Sequence, residues 1–599
     1  MSLLARVGRE LKFLRRLNRL LKRIKPVDPS STNLVPDDFE KAVDHWPNNV
    51  AIICEDRQLT YRELDAMANR YAHWIKGRGL RRGDTVALVM PNRIEYVAIW
   101  LGFAKVGVAT ALINNSLTGS ALAHSLAISG ATQVLADYST FEAVETVRRD
   151  LPRHIMLWVL GLRVEDEASE RRGLDASVKG ASTVRPDRSA REGLHAKDVA
   201  LYIYTSGTTG LPKAARITHA RAQLYMLAVA GATEATDKDR VYCTLPLYHS
   251  TGGLVAVGVA LMNGGALVIK QRFSASQFWP DVLGHGCTLF VYVGELCRYL
   301  LNQPETPDET KHKLRLAFGN GLRPEIWRPF QTRFRIGDIL EFYGSTEGNV
   351  SLFNFDGKPG AVGRIPRYLR SRFNIRLLRY DLEADEVIRA ANGLCVEARP
   401  GEIGQAVGEI RSDARHAFSG YADKAASEKK VVRDVFSKGD AFFLTGDLMR
   451  QDNEGYFYFV DRIGDTYRWK SENVSTTEVA DRLAQAPGVK EVAVYGVPVE
   501  GSEGKAGMAA LVVDPDFDIA RFAEHIDHDL PNYARPVFVR VQKGLSTTGT
   551  FKYRKVELVQ EAFDPRSSKD PIWYRDPDKG YVRLTARNFP KIESGVIRL

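Results

Sequence analysis

The 599-residue sequence has little cysteine, and its five cysteines stand far apart. They form no C-x-x-C pair and stand at no zinc-ligand spacing with histidine, which argues against structural zinc, disulfides and secretion. The chain also lacks a convincing membrane-spanning run, because the apolar stretch 254–269 is broken by Asn263, Gly264 and Gly265. We therefore expect a protein of a reducing, cytoplasmic compartment.

Excess charge of either sign is absent from most of the chain. Lysine and arginine outnumber aspartate and glutamate 83 to 73, but nine basic residues and only one acid, Glu10, fall within residues 1–25. The rest of the chain is nearly neutral, and the basic residues of the first segment do not alternate with stacking aromatics. This distribution argues against nucleic acid as a partner.

The N-terminal segment has the pattern of an amphipathic helix that ends at Pro26. It carries too many charges to span a bilayer, but a basic face suits an anionic lipid surface. We expect the segment 1–30 to contain this helix and residues 1–25 to hold the protein peripherally on the inner face of a membrane. A solvated or partner-packed helix is the alternative. The apolar positions, spaced by three and four, are Leu4, Val7, Leu11, Leu14, Leu17, Leu21 and Ile24.

A loop rich in glycine and hydroxyl residues, YTSGTTGLPK (204–213), stands between two predicted strands, 198–203 and 214–218. Glycines allow close backbone approach, hydroxyls and N–H groups donate hydrogen bonds, and the lysine adds positive charge, so the loop favours a polyphosphate. It does not follow the Walker A spacing, and no helix follows directly. The alternative is a polar surface turn.

The composition, 44% hydrophobic and 26% charged residues, is that of a globular protein of more than one domain. Between about 240 and 350, apolar strands alternate with helical patterns, which predicts a largely parallel sheet covered on both faces. Two of these strands run into glycine-bearing loops, 319–324 and 343–348. Ligands of open α/β sheets bind beyond the carboxyl ends of strands, so we expect these loops to line one crevice with the glycine-rich loop.

Four further residues carry side chains suited to a nucleotide. A carboxylate beside a triphosphate needs a divalent cation between them, so we expect Glu347 to bind Mg²⁺. Asp447 can accept two ribose hydroxyls, and Arg462 offers a fixed fork of donors. Tyr343 can stack on a purine. The alternative for Glu347 is an exposed loop acid. For Asp447 and Arg462 it is a turn residue or a surface ion pair, and for Tyr343 it is a core tyrosine.

Five motifs, in this order, resemble the adenylate-forming superfamily of acyl-CoA synthetases, peptide-synthetase adenylation domains and luciferases. They are YTSGTTGLPK, YGSTEG, TGD, DRIGD and the late lysine of TTGTFKYRK. The sequence between them, including FGNGLRPEIW and DRIGDTYRWKSENVSTTEV, resembles the fatty acid transport protein branch, the very long chain acyl-CoA synthetases. The likeness runs from about residue 35 to about residue 565.

The resemblance implies roles for named residues. Thr346 contacts the α-phosphate or the acyl carboxylate, Lys552 is the adenylation lysine, and Asp447 with Arg462 holds the ribose. Adenine is enclosed by Gly319, Asn320, Gly321 and Tyr343. The β- and γ-phosphates of ATP are bound by Thr205, Ser206, Gly207, Thr208, Thr209, Gly210 and Lys213.

The resemblance also implies an α/β fold and its division. A large N-terminal adenylation domain, residues 31–461, has mostly parallel sheets covered by helices. A smaller α+β C-terminal domain, residues 462–599, carries the catalytic lysine and rotates between two half-reactions. Gly464, within DRIGD, is the expected pivot because glycine has unusual backbone freedom.

The resemblance also implies which segments contact the acyl chain and the thiol of CoA. By resemblance, PLYHSTGGL (246–254) places His249, Gly252 and Gly253 at the gate of the acyl pocket, although His249 could equally be a structural histidine. Ser471 stands where relatives tend to have a glycine lining the CoA tunnel. Its hydroxymethyl group either narrows that tunnel, which would slow the thioester step, or is absorbed by a small shift.

Taken together, the resemblance implies ATP-dependent activation of long or very long chain fatty acids to acyl-CoA. The reaction passes through an acyl-adenylate and releases AMP and pyrophosphate, with Mg²⁺ as cofactor. The alternatives are a ligase for another acid, of the sterol or bile acid type, or transfer to a carrier protein. A lipid uptake protein, in which binding rather than catalysis matters, is the alternative from another class.

Overall fold

A computed structural model describes residues 3–599 except 153–154, 167, 169–170, 206–210, 382–383, 470–471, 501–503, 550, 595 and 598. The chain forms two compact units. Unit 1 comprises Met1–Ile375 and Val407–Thr445, and unit 2 comprises Arg376–Ala406 and Gly446–Leu599. The division of the chain into domains 31–461 and 462–599 stays a prediction.

The described strands are short and numerous. In chain order they are β1 Val50–Cys54, β2 Arg57–Thr60, β3 Thr85–Val89, β4 Ala109–Leu112, β5 Gln133–Asp137, β6 Met156–Leu160, β7 Arg171–Gly173, β8 Val199–Thr205, β9 Lys213–Thr218, β10 Arg240–Cys243, β11 Ala266–Ile269, β12 Leu289–Val293, β13 Leu316–Asn320, β14 Ile339–Gly344, β15 Ser351–Asn354, β16 Ala361–Arg364, β17 Ile375–Leu378, β18 Tyr380–Asp381, β19 Glu386–Val387, β20 Ile403–Glu409, β21 Val431–Arg433, β22 Ala441–Gln451, β23 Tyr456–Arg462, β24 Tyr467–Trp469, β25 Glu472–Val474, β26 Val489–Pro498, β27 Lys505–Val513, β28 Phe538–Val541, β29 Ile572–Asp576 and β30 Gly580–Arg583.

Most of the α-helices lie between strands in the chain. In the described residues one π-helix, Thr251–Ala256, precedes α9. In chain order the α-helices are α1 Leu3–Ile24, α2 Val35–His45, α3 Tyr61–Gly77, α4 Ile94–Lys105, α5 Gly119–Ile128, α6 Phe141–Thr146, α7 Leu174–Val178, α8 His219–Ala232, α9 Val257–Leu261, α10 Phe278–Gly284, α11 Gly294–Leu301, α12 Pro324–Arg333, α13 Lys424–Glu428, α14 Thr476–Leu483, α15 Ile519–Asp529, α16 Lys555–Glu561 and α17 Phe589–Glu593.

Unit 1 contains two large sheets. The first has eight strands in the order β15-β14-β13-β12-β10-β11-β1-β2, and its six inner strands are parallel. The second has the order β7-β6-β5-β3-β4-β8-β9 and is parallel except at its β8–β9 edge. Apolar strands such as β11, buried along its whole length, are typical of parallel sheets covered on both faces. The predicted α/β fold is confirmed.

Helix α1 confirms the predicted N-terminal helix and packs one side against α8 of unit 1. A Cβ on Gly231 would lie 2.8 Å from the Cα atom of Leu20, so glycine allows the two helices to approach closely. Phe13 is 1% exposed and meets the ring of Phe355 edge to face at 5.5 Å. No helix in the described part of the chain is long and apolar enough to cross a bilayer.

Unit 2 is built around a five-stranded sheet in the order β26-β27-β28-β29-β30. The strands β26 and β27 pair in antiparallel fashion, and β27 pairs with β28 in parallel. Helices α14 and α15 bury Leu483, Phe522 and Ile526 in the core of this unit. The polar chain end beyond residue 565 adds β29, β30 and α17 to the same unit.

Candidate active site

Two paired strands frame the predicted phosphate loop. Strands β8 and β9 run antiparallel, and Thr205 and Lys213 are register partners at the mouth of the loop. The hairpin therefore brings the hydroxyl residue and the lysine that flank the loop into neighbouring positions. The phosphate-binding residues predicted between them, Ser206, Gly207, Thr208, Thr209 and Gly210, lie outside the described residues.

A tyrosine that the sequence did not single out connects this hairpin to the next loop. The backbone of Tyr421 forms a bridge with Ala215 on β9. Its hydroxyl donates a hydrogen bond of 2.7 Å to Oε1 of Glu347. The ammonium of Lys213 lies 5.7 Å from the centroid of its ring. Tyr421 therefore lies against two of the predicted site residues.

Burial determines the protonation of this tyrosine. Desolvation and then the neighbouring carboxylate of Glu347 raise the pKa of Tyr421 far above its ordinary value. The phenol consequently keeps its proton and acts as a donor to Glu347.

Glu347 lies in the loop that follows β14 and is only 9% exposed. Among the described residues, its carboxylate forms no ion pair with lysine, arginine or histidine. The alternative of an exposed loop acid is therefore wrong. A buried carboxylate that is held by one neutral donor is suited to a divalent cation.

Thr346, the neighbour of Glu347, approaches the predicted acyl gate. Its Oγ1 atom lies 3.3 Å from Oγ of Ser250, which follows His249 in the chain. From helix α8, the hydroxyl of Tyr225 donates to the carbonyl oxygen of Ser345. The loop at 343–348 is thus fixed by contacts on both sides of Thr346.

The gate segment makes a tight turn that only glycine permits. A Cβ on Gly252 would lie 2.4 Å from the carbonyl oxygen of Pro246, and one on Gly253 would lie 2.0 Å from that of Leu247. The N–H group of Gly253 donates to the carbonyl of His249 at 2.7 Å. Both glycines belong to the π-helix Thr251–Ala256, a rare element that is frequent at functional sites.

The predicted adenine loop begins at the carboxyl end of β13, which includes Gly319 and Asn320. Gly321 follows with φ of +78°, a conformation that favours glycine. The N–H groups of Gly321 and Leu322 donate to the two carboxyl oxygens of Glu341 at 3.1 and 2.8 Å. Tyr343, the predicted stacking residue, is half-buried two positions beyond Glu341, at the end of β14.

In unit 2, the predicted ribose-binding pair is assembled on two neighbouring strands. Asp447 on β22 and Arg462 on β23 are register partners, with 3.4 Å between Oδ1 and Nε. Asp447 is 6% exposed, whereas the side chain of Arg462 is about half exposed. Asp447 lies inside β22, which continues to Gln451.

Lys552 is exposed and stands opposite Thr548, next to the bridge between Thr547 and Tyr553 in unit 2. The backbone N–H of Lys552 donates to Oγ1 of Thr548 at 3.1 Å. The backbone N–H of Thr548 donates to the carbonyl oxygen of Lys552 at 2.7 Å. The ammonium of Lys555 lies 3.1 Å from Oγ1 of Thr476 and 3.4 Å from Asp465. Ser471, predicted at the CoA tunnel, lies outside the described residues.

Comparison with known proteins shows two family matches and close relatives. The family model for AMP-binding enzymes matches residues 39–378, and that for the AMP-binding enzyme C-terminal domain matches 478–552. Long-chain fatty acid transport protein 1 of Homo sapiens is 42% identical, with 94% of this chain and 88% of that protein covered. Long-chain fatty acid transport protein 6 of Mus musculus is 40% identical, covering 94% and 91%.

Solved structures share the fold. ATP-bound MatB from Rhodopseudomonas palustris is 25% identical with a TM-score of 0.72, and the match covers 88% of this chain and 98% of that one.

Proposed function

Because the chain belongs to the AMP-binding enzymes, in the branch of the long-chain fatty acid transport proteins, we propose that it converts long or very long chain fatty acids to their CoA thioesters. ATP is the co-substrate, an acyl-adenylate is the intermediate, and AMP and pyrophosphate are the products. The observation that carries this proposal is the approach of Lys213 and Glu347 to the side chain of Tyr421, beside the hairpin that frames the predicted phosphate loop.

The chemistry explains why such residues are needed. A fatty carboxylate is a poor electrophile, because its charge is delocalised and its leaving group would be oxide. In the first half-reaction a carboxylate oxygen bonds to the α-phosphorus of ATP while the bond to the bridging oxygen breaks and pyrophosphate leaves. In the second, the sulfur of CoA bonds to the acyl carbon and AMP leaves. The enzyme supplies positioning and neutralises charge.

The residues of unit 1 are assigned to different groups of the substrates. We assign Thr205, Lys213 and the loop between them to the β- and γ-phosphates, and Thr346 to the α-phosphate or the acyl carboxylate. The turn Gly319–Asn320–Gly321 and Tyr343 receive the adenine.

Glu347 fits a magnesium ligand, since it is a buried carboxylate without an ion-pair partner among the described residues. In those same residues, no group of three or more acidic, histidine or cysteine side chains converges on a metal site. Magnesium commonly binds through one or two carboxylates and substrate phosphates, so one protein carboxylate suffices. The bound cation would neutralise phosphate charge, and Tyr421 orients the carboxylate that binds it.

Residues of unit 2 complete the assignment. We assign Asp447 and Arg462 to the ribose hydroxyls and Lys552 to the charge that develops between the α-phosphate and the carboxylate. Lys552 is exposed and carries the positive charge that this role needs. We assign Ser471 to the tunnel for CoA.

The acyl chain enters at the gate segment. We assign His249, Gly252 and Gly253 to this gate, because Ser250 places the segment against Thr346. The glycines act through the backbone turn that they permit, and we assign the side chain of His249 to closing over the acid.

The outward side of α1 is suited to an anionic membrane surface. Five apolar residues of this helix stay exposed and share it with basic side chains, among them Arg15, which is 64% exposed. Apolar contact and attraction to anionic lipid together favour peripheral binding, with a fatty acid substrate close at hand. The exposed apolar residues are Leu4, Val7, Leu11, Leu14 and Leu21.

The decisive experiment measures AMP release by the purified protein with ATP, Mg²⁺ and fatty acids of increasing chain length, with and without CoA. Release that needs CoA and peaks at long chains supports the proposal. Release with sterol acids or with a carrier protein in place of CoA points to another ligase. Absence of turnover with any acid, together with fatty acid binding, points to a lipid uptake protein.

A further inference from the structure

Three residues lie side by side in one row of the eight-stranded sheet. Tyr292 on β12 is the register partner of Gly319 on β13, and Gly319 is the register partner of Glu341 on β14. A Cβ on Gly319 would lie 2.1 Å from the carbonyl oxygen of Tyr292 and 2.8 Å from Cδ2 of its ring. The glycine therefore leaves the space that the tyrosine ring occupies.

Through this space the tyrosine reaches across the intervening strand. The hydroxyl of Tyr292 donates a hydrogen bond of 2.8 Å to Oε1 of Glu341. Tyr292 is fully buried and Glu341 is 2% exposed. A hydrogen bond between two buried side chains two strands apart fixes the rotamer of the carboxyl group.

The same carboxyl group holds the turn that follows β13. Oε1 also accepts from Leu322, and Oε2 accepts from Gly321. Helix α11 closes on this turn from another side, since a Cβ on Gly294 would lie 1.7 Å from the carbonyl oxygen of Gly321. Buried N–H groups need acceptors, and Glu341 is the acceptor for both N–H groups of the turn.

We propose that Glu341, held by Tyr292, is a positioning residue that fixes the turn 319–322 in the shape that binds the adenine of ATP. Glu341 does not touch the nucleotide, and it acts through the backbone of Gly321 and Leu322. This inference rests on the proposed function, because the adenine contact of the turn is itself proposed.

Two conservative variants test the proposal. Glu341→Gln keeps the size of the side chain, but its amide can accept from only one side, so one N–H group of the turn faces an amide nitrogen. Tyr292→Phe removes only the hydroxyl that orients the carboxyl. We expect both to raise the KM for ATP by about tenfold, with less than about a twofold change in kcat and in the KM for the fatty acid.

A matched control lies in the same sheet. The hydroxyl of Tyr242 on β10 donates to Oδ2 of Asp281 at 2.9 Å, and Tyr242 is also buried. Tyr242→Phe removes a comparable tyrosine–carboxylate hydrogen bond away from the turn. It should lower the melting temperature and leave the KM for ATP at the wild-type value.

Hydrogen exchange and calorimetry give readouts that do not depend on turnover. The amides of Gly321 and Leu322 should exchange faster in Glu341→Gln than in wild type and in Tyr242→Phe, and calorimetry should show weaker ATP binding. Faster exchange with unchanged ATP affinity would overturn the positioning role and leave the proposed function intact. Wild-type protein that binds no ATP would overturn both. Equal rises in the KM for ATP and the KM for the fatty acid would show that Glu341 has only a structural role.

Discussion

The hydroxyl of Tyr421 donates a 2.7 Å hydrogen bond to one carboxylate oxygen of Glu347, and both side chains are buried. Because burial keeps the phenol protonated, this bond persists over the pH range in which enzymes work. It fixes the plane of the carboxylate and leaves the second oxygen for another ligand. The geometry links the hairpin of β8 and β9 to the loop after β14 through one side chain.

Replacing Tyr421 with phenylalanine should weaken the use of Mg²⁺. The carboxylate of Glu347 then loses its donor and its fixed plane, and loss of such an orienting partner typically costs 10- to 100-fold in metal affinity or activity. We expect a higher half-saturating Mg²⁺ concentration for AMP release. Tyr458→Phe, which removes a 3.0 Å hydrogen bond to Asp452 in unit 2, is the control. An unchanged Mg²⁺ dependence in Tyr421→Phe would show that the tyrosine does not orient a metal ligand.

Lys552→Ala should abolish adenylation without unfolding the protein. Its side chain is exposed, so the free energy of unfolding should change by less than about 0.5 kcal/mol. Removal of a charge that stabilises the transition state should lower the rate of acyl-adenylate formation by at least about a hundredfold. Radiolabelled pyrophosphate exchange isolates this half-reaction.

The neighbouring exposed Arg554 supplies the control for Lys552. Arg554→Ala also removes one positive charge near Lys552, and exchange should proceed at the wild-type rate. Equal losses in the two variants would indicate a general effect of charge, and a fully active Lys552→Ala protein would exclude the lysine from adenylation.

Stability should depend on pH through Glu341. Burial raises its pKa to about 8, although hydrogen bonds from Leu322, Tyr292 and Gly321 act in the opposite direction. The ionisable side chains that face it are Tyr292 on β12 and Cys297 on α11. In the unfolded chain the carboxyl ionises near pH 4.5. The folded state therefore binds more protons between about pH 4.5 and 8, and its stability falls as the pH rises through that window.

Glu341→Gln isolates this dependence, because glutamine does not titrate. Melting temperatures of wild type and variant, measured at several pH values, should shift in favour of the variant up to about pH 8 and stay at a constant difference above it. A difference that is constant from pH 5 to 9 would mean that the carboxyl ionises at an ordinary pH in the folded protein.

Leu11→Glu should weaken binding to anionic vesicles by about tenfold without lowering the melting temperature. Leu11 is 63% exposed, so its replacement disturbs the outward side of α1 and no core contact. Val184→Glu, at a residue 71% exposed and outside α1, adds the same charge and should bind as wild type does. Co-sedimentation with phosphatidylserine vesicles at two salt concentrations measures the effect. Equal losses in both variants would place the lipid contact elsewhere.

Much of the fold followed from local patterns. The loops 319–324 and 343–348 could be placed because each follows an apolar strand, and parallel strands present their carboxyl ends at one edge. Glu347 was selected as a magnesium ligand because a carboxylate beside a triphosphate needs a cation, and that role stays a prediction. These inferences use neighbours in sequence, and short-range chemistry was enough for them.

Tyr421 and Glu341 could not be found in this way. Tyr421 meets Glu347 across 74 positions, and Tyr292 meets Glu341 across 49. Each would look like an ordinary core residue in its own segment. Strand register brings Tyr292 to Glu341, and the packing of distant loop segments brings Tyr421 to Glu347. The sequence alone fixes neither arrangement.

Helix α1 shows a second limit of prediction from sequence, which concerns the side of a helix that packs against the protein. Its periodicity predicted the helix correctly, yet the predicted apolar set omitted Phe13 and Leu20, which are 1% and 5% exposed. Leu4 and Leu11, which belong to that set, are 84% and 63% exposed. A helix with apolar residues on more than one side does not reveal which side packs against the protein.

The packing of α1 has a geometric consequence. The helix is clamped on two flanks, by an ion pair of Glu10 with Arg364 and by one of Arg16 with Asp338. A helix on a loose linker would attach the protein and let it tumble. If α1 lies on a membrane as proposed, a clamped helix sets one tilt of unit 1 against the lipid plane. A fixed tilt would then give every fatty acid that leaves that bilayer the same path to the proposed acyl gate.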